Sequence, residues 1–129
     1  MAVAGNARYL NLATWRRDGR EVRTPVWFAL LDGRYYCFSA DDAGKVKRLR
    51  NSDRAAIAHC NARGGVLGAW QPARATLVDE PAREQAAYRA LRAKYGWQMA
   101  LLDLLARLGG RYERRAMIEI VTVDDLPQH

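Results

Sequence analysis

Apolar and polar residues alternate with period two through the first half of the chain, and a helical period takes over only after it. From Tyr9 to Trp15, Leu10, Leu12 and Thr14 stand against Asn11 and Ala13, the pattern of a half-buried strand. Asp18-Gly19 supplies a hairpin turn. The next run, Glu21 to Leu31, puts Val22, Thr24, Val26, Phe28 and Leu30 on one face and Arg23, Pro25, Trp27 and Ala29 on the other. Pro25 cannot donate to a ladder, which marks an edge or an interruption of pairing. Asp32-Gly33 turns the chain into a third strand, Tyr35 to Ser39. After a break at Ala40 to Gly44, a short helix runs to Asn51, with Val46 and Leu49 inward and Lys45, Lys47, Arg48 and Arg50 outward. Arg54 to Cys60 reads as a fourth strand and Asn61 to Gly65 as its turn. Trp70 to Val78 follows as a fifth strand, disturbed at its start by Pro72.

Asp79-Glu80-Pro81 then opens a helix, with acids near the first turn and a proline where its missing N–H is harmless. Tyr88, Leu91 and Tyr95 recur at helical spacing up to Gly96. A further helix, Trp97 to Leu108, carries Leu101, Leu104, Leu105 and Leu108 and ends at Gly109-Gly110. Those leucines and Trp97 are expected in core or dimer packing. The last strand is Arg114 to Val123, with Ile118 and Ile120 opposite Met117, Glu119 and Val121. Six antiparallel strands with helices inserted late predict an α+β protein built on a small barrel.

Composition narrows this further. At 129 residues, half of them hydrophobic, the chain is expected to be one domain over 1–129 with a real core. Mean hydropathy is -0.36 and no apolar run nears the ~18 residues that span a bilayer, so no membrane partner is expected. The first residues lack a charged segment followed by a long apolar one, which points to the cytoplasm. Cys37 and Cys60 lie in strand-like runs and read as small buried hydrophobes of a reducing compartment. His59 and His129 are too few and too far apart for a metal site, and His59 reads as a packed strand residue. The net charge of +7 and a pI near 9.9 invite a nucleic-acid reading. Many of the basic residues alternate with apolar ones on strands or line exposed helix faces, however, and no paired aromatic strand motif accompanies them. No nucleic-acid partner is expected.

The chemistry lies between Tyr35 and Cys60. A strand ending in the hydroxyl of Ser39, a turn, and a helix start carrying Lys45 and Lys47 together build an anion pocket. Backbone N–H groups and the positive end of the helix both favour a phosphate there. Arg23 can add a planar pair of N–H donors. Taken singly, Arg23 is a surface residue, Lys45 and Lys47 a solvated helix face, and Ser39 a cap or turn former. No catalytic residue stands out. A Gly-x-Ser-x-Gly elbow, an oriented Cys/His pair and a paired-carboxylate site are all missing, and Gly64-Gly65-Val66-Leu67-Gly68 misses the dinucleotide fingerprint.

Leu12-Ala13-Thr14 with Asp18-Gly19, Arg23-Thr24-Pro25-Val26-Trp27-Phe28, Asp32-Gly33-Arg34-Tyr35-Tyr36, Ser39 through Arg50, Arg54 to Gly64 and Ala73-Arg74-Ala75 occur in a telling order. In that order and spacing the chain resembles the pyridoxamine 5′-phosphate oxidase-like split-barrel superfamily, most of all its small branch of deazaflavin-dependent enzymes. The resemblance implies a six-stranded antiparallel split β-barrel with helices inserted between strands. It also implies a homodimer with a flavin-type cofactor, FMN or a deazaflavin coenzyme, in a groove between subunits. Carried onto this chain, the cofactor phosphate falls to Arg23, Ser39 and Lys45, with Lys47 beside them, and the ring to the second-strand backbone at Thr24, Pro25, Val26 and Trp27. Authentic pyridoxamine phosphate oxidases carry a longer basic C-terminal segment, so oxidation of that substrate is not expected. The implied activity is a flavin- or deazaflavin-dependent oxidation–reduction of a small molecule, in which the cofactor supplies the hydride chemistry. Two other functions compete, a non-catalytic flavin-binding or storage protein and a basic nucleic-acid-binding domain.

Overall fold

A computed structural model describes residues 3–110 and 114–123 of the chain. The strands are β1 (Leu10–Trp15), β2 (Glu21–Val26), β3 (Ala29–Leu31), β4 (Arg34–Ala40), β5 (Arg54–His59), β6 (Gln71–Leu77) and β7 (Arg115–Thr122). The helices are α1 (Gly44–Asn51) between β4 and β5, and α2 (Pro81–Tyr95) and α3 (Trp97–Leu108) between β6 and β7. All seven strands form one antiparallel sheet in the order β2-β1-β5-β6-β7-β4-β3. Its two edges, β2 and β3, are separated in sequence only by Trp27 and Phe28. The three steps from Val26 to Ala29 reach no farther than ~11 Å, so the sheet has to curl until its edges approach at that corner. This is the expected α+β half-barrel.

The strand count is seven rather than six, because the single run expected from Glu21 to Leu31 breaks at Trp27-Phe28. The backbone groups of Phe28 turn to side chains of α2. Its N–H donates to the Tyr95 hydroxyl at 2.9 Å, and its carbonyl accepts from Lys94 Nζ at 2.9 Å. The Tyr95 proton is shared between the carbonyls of Arg8 (2.8 Å) and Phe28 (3.0 Å), and the Trp27 indole stacks on the Tyr95 ring at 4.5 Å. Alternation survives the break. Val26, Phe28 and Leu30 join the barrel interior, while Trp27, Ala29 and Leu31 pack under the helices.

The interior gathers Leu10, Leu12, Tyr35, Cys37, Ile57, Ala75, Ile118 and Ile120, and α1 plugs it with Val46 and Leu49. On the other side of β3, β4 and β7, Tyr36 and Met117 meet Ala87, Leu91 and Tyr95 of α2 and Met99 of α3. Asp32-Gly33 closes the β3–β4 hairpin with both residues at positive φ, 54° and 75°, as a tight two-residue turn requires. Of the core or dimer packing expected for the leucines of α3, the core is corrected: Leu101, Leu104, Leu105 and Leu108 are exposed. A polar side chain holds the helix down instead. Asp103, 7% exposed, accepts hydrogen bonds from Arg115 (2.7 Å) and Arg92 (3.1 Å). Burial pushes its carboxyl up, but these bonds and charges outweigh burial and hold it below its ordinary value.

Replacing Tyr95 with Phe keeps the ring and its stacking but leaves a buried Phe28 N–H without an acceptor. The variant is expected to lose about 1–3 kcal/mol, read as a lower denaturant midpoint with an unchanged slope. An unchanged midpoint would show that the corner does not depend on this hydroxyl.

Candidate functional site

The β4–α1 turn concentrates unpaired positive charge. The first turn of α1 holds no acidic residue, and its cap, Ala43, offers no side-chain hydrogen bond, so the leading N–H groups stay unsatisfied. Lys45 is half-buried, and burial lowers its ammonium pKa, with the charge of Arg48 adding to the fall. Arg48 reaches inward and donates from Nε to the buried Thr14 hydroxyl at 2.7 Å. Its own pKa is lowered by burial and by the charge of Arg16. Cys37, which would favour the Lys45 ammonium as a thiolate, cannot balance it. Complete burial pushes its thiol up to about 12, and it stays neutral.

Glycine at position 44 makes this arrangement possible. A Cβ built there would lie 2.9 Å from Arg48 Nη1, so the guanidinium folds back over the helix start in space that only glycine leaves open. Arg16, Lys45 and Arg48 thus form a cationic cluster with no carboxylate partner among the described residues. Together with the free N–H groups of α1 they fit a phosphate.

The expected site residues divide between two faces. Ser39, half-buried, is the last residue but one of β4 and lines a cavity of about 600 Å³ with Phe38, Asp41, Asp42, Leu105 and Arg115. Lys45 follows it across the turn. Lys47 is exposed on α1 and does not join Lys45. Arg23 is exposed on the outer face of β2, in register with Ala13, while Thr14, which holds Arg48, belongs to the inner face. Its guanidinium pairs with Glu21 at 3.1 Å and lies 4.6 Å over the Trp70 ring. Ser39 and Lys45 are therefore brought to one turn, and Arg23 makes its contacts elsewhere. Thr14, Arg16 and Arg48 were not anticipated. The readable signal was Gly44 four residues before Arg48, a spacing that places both on one helix face.

Thr24, Pro25 and Val26 end a strand that pairs on one side only, with β1, and Trp27 follows it. Its second edge presents free backbone groups, which a flat ring or another chain can engage. Thr24 and Val26 point inward, Trp27 is held by Tyr95, and Pro25 lies opposite Asn11. Asn11 is buried and donates from Nδ2 to the Gly64 carbonyl at 3.0 Å, while its Oδ1 has no donor. A buried acceptor left open costs about 1–3 kcal/mol. Beside the edge strand, it suits an N–H from a ring.

Comparison with known proteins follows the fold. Residues 2–123 match the family model described as pyridoxamine 5′-phosphate oxidase. The chain belongs to this family. By sequence, no curated protein matches it. Among solved structures, the conserved hypothetical protein Rv2991 of Mycobacterium tuberculosis is similar with a TM-score of 0.68 at 20% identity, over 96% of this chain and 84% of that one. HutZ, the heme storage protein of Vibrio cholerae, is similar at 0.67 and 14% identity, over 95% and 84%. An F420 reductase is similar at 0.59 and 16% identity, over 92% and 89%. At these identities the likenesses show a shared split-barrel fold.

Gly44→Ala tests the cluster without touching a charge. Alanine suits a helix better than glycine, so stability should hold or rise by up to ~1 kcal/mol. The displaced Arg48 should weaken FMN binding several-fold by fluorescence titration. Equal affinity would show that the guanidinium need not fold over the helix start.

Proposed function

We propose that the protein is an oxidoreductase that uses FMN or the related deazaflavin coenzyme on a small-molecule substrate. The observation that carries this reading is the uncompensated cluster of Arg16, Lys45 and Arg48 at an uncapped helix start, in a member of a family named for an oxidase. Lys45 and Arg48 would hold the phosphate of the ribityl chain, and Ser39 closes the same turn. The ring would rest on the free edge of β2 at Thr24 to Trp27, with Asn11 Oδ1 accepting from it. Arg23, whose partners Glu21 and Trp70 are both exchangeable surface contacts, remains a donor for the phosphate or for a longer acidic tail. Once bound, the cofactor supplies hydride transfer, and the chain binds, orients and shields it from water. The expected setting is a cytoplasmic homodimer.

A binding or storage role is the second reading, supported by the fold shared with a heme storage protein. Reduction of a dye or quinone by the protein with reduced cofactor separates the two readings. Mass spectrometry of the small molecule that co-purifies names the cofactor.

Lys45→Ala and Arg48→Ala should each weaken FMN binding about tenfold or more, the worth of one charge-assisted hydrogen bond. Unchanged affinity in both would remove the pocket. The pH dependence has a definite sign. In the free protein the Lys45 ammonium has a lowered pKa, and a bound phosphate restores it, so binding takes up a proton as pH rises. Affinity should therefore fall as pH rises through the lowered pKa of the free ammonium toward the ordinary lysine range, and the fall should vanish in Lys45→Ala. A pH profile identical in that variant would assign the effect to another group.

A further inference from the structure

We propose that the outer face of β1, β5 and β6 binds single-stranded nucleic acid. The sequence holds no paired aromatic motif for such a partner, but the fold assembles a pair from distant strands. Trp15, which ends β1, and Trp70, just ahead of β6, line one groove of about 440 Å³ with Arg54, Ala56, Pro72 and Arg74. The strand register gives the groove its shape. Ala13, Ala56 and Pro72 lie side by side across the three strands, and Arg54 stands opposite Arg74 two residues along. Leu12, Ala55, Ile57 and Ala73, which alternate with them, belong to the barrel interior, so this set faces outward. Small residues in the middle row keep the floor low between the two indoles. The helices pack elsewhere, α2 and α3 against β3, β4 and β7, and α1 against the interior.

Each indole already carries a guanidinium. That of Arg54 lies 3.9 Å over the Trp15 ring, and that of Arg23 lies 4.6 Å over Trp70. A guanidinium spread on an indole is a flat cationic plane on which an unpaired base stacks, while its rim donates to phosphates. Arg54 has no carboxylate partner among the described residues. Arg74 pairs with Asp53 at 2.9 Å, but the two side chains are 58% and 43% exposed. A pair that exposed exchanges its carboxylate for a phosphate at small cost. Arg17, exposed in the turn after Trp15, continues the positive charge beyond the groove. A net charge of +7 and a pI near 9.9 complement a polyanion. A duplex hides the faces of its bases, so the stacking planes select a single strand. None of the groove residues belongs to the turn of Ser39, Lys45 and Arg48, so the contact stands apart from the cofactor reading.

Fluorescence anisotropy of a labelled oligothymidylate of about 12 nucleotides, titrated with the full chain, tests this. The wild type is expected to bind, and more weakly as salt rises from about 50 to 200 mM. Arg54→Glu should lose about tenfold in affinity and flatten the slope of log affinity against log salt by ~0.7, the share of one phosphate. Arg89→Glu makes the same change of charge at an exposed position of α2 and should leave that slope in place. Trp15→Ala should lose about tenfold with the slope unchanged, and Trp15→Phe, which keeps a stacking ring, should recover most of it. Arg54 is exposed, so its variant supplies the answer if Trp15→Ala misfolds. A wild type that fails to bind at low salt overturns the proposal, as does an Arg89→Glu variant weakened as much as Arg54→Glu. Thymidine monophosphate bound as tightly as the oligonucleotide overturns it in favour of a pocket for one free nucleotide.

Discussion

The structure depends on a phenol standing in for a strand. At Phe28 the chain has to leave one sheet edge and join the other within two residues, and no ladder can serve a backbone making that crossing. Tyr95, the last residue of α2, accepts the Phe28 N–H and reaches the carbonyls of Phe28 and Arg8, while Trp27 stacks on its ring. Buried backbone groups are satisfied or costly. A side chain from a distant helix therefore fixes where β2 stops, where β3 starts and how tightly the sheet curls. Lys94 adds a bond to the same carbonyl and lies 3.5 Å over the Phe28 ring.

That dependence explains what the sequence could and could not show. The helices α1, α2 and α3 were readable to the residue, because Gly44, Pro81 and Gly96 punctuate them locally. The alternation from Glu21 to Leu31 was equally readable and is preserved. Its break was not, since the cause is Tyr95, 67 residues away. Leucines at helical spacing in α3 implied burial by the usual rule. One aspartate reversed the helix, because Arg92 and Arg115 come from α2 and β7 and meet it only in the fold.

The site shows the same boundary between local and distant information. Ser39 and Lys45 flank one turn, a proximity that sequence order alone encodes, although the cavity that Ser39 lines does not include Lys45. Arg23 is separated from them by a reversal of face that period-two alternation encodes but that composition hides. Thr14 and Arg48 meet across 34 residues of chain, and no local pattern announces that bond.

The turn after β4 holds the strongest argument for a ligand over mere solvation. A helix face evolved only to be wet would let Asp41 and Asp42, a few residues upstream, pair with Lys45. Instead the two acids line the cavity on one side of the turn, while Lys45 and Arg48 are drawn toward the barrel on the other, where the charge of Arg48 adds to the cost of burying Lys45 and that of Arg16 to the cost of burying Arg48. Desolvating like charges without a counter-ion destabilises the folded chain. An anion at the start of α1 removes that penalty and satisfies the open N–H groups in the same place. The segregation of acids from cations across five residues thus suits an anion seated at the start of α1.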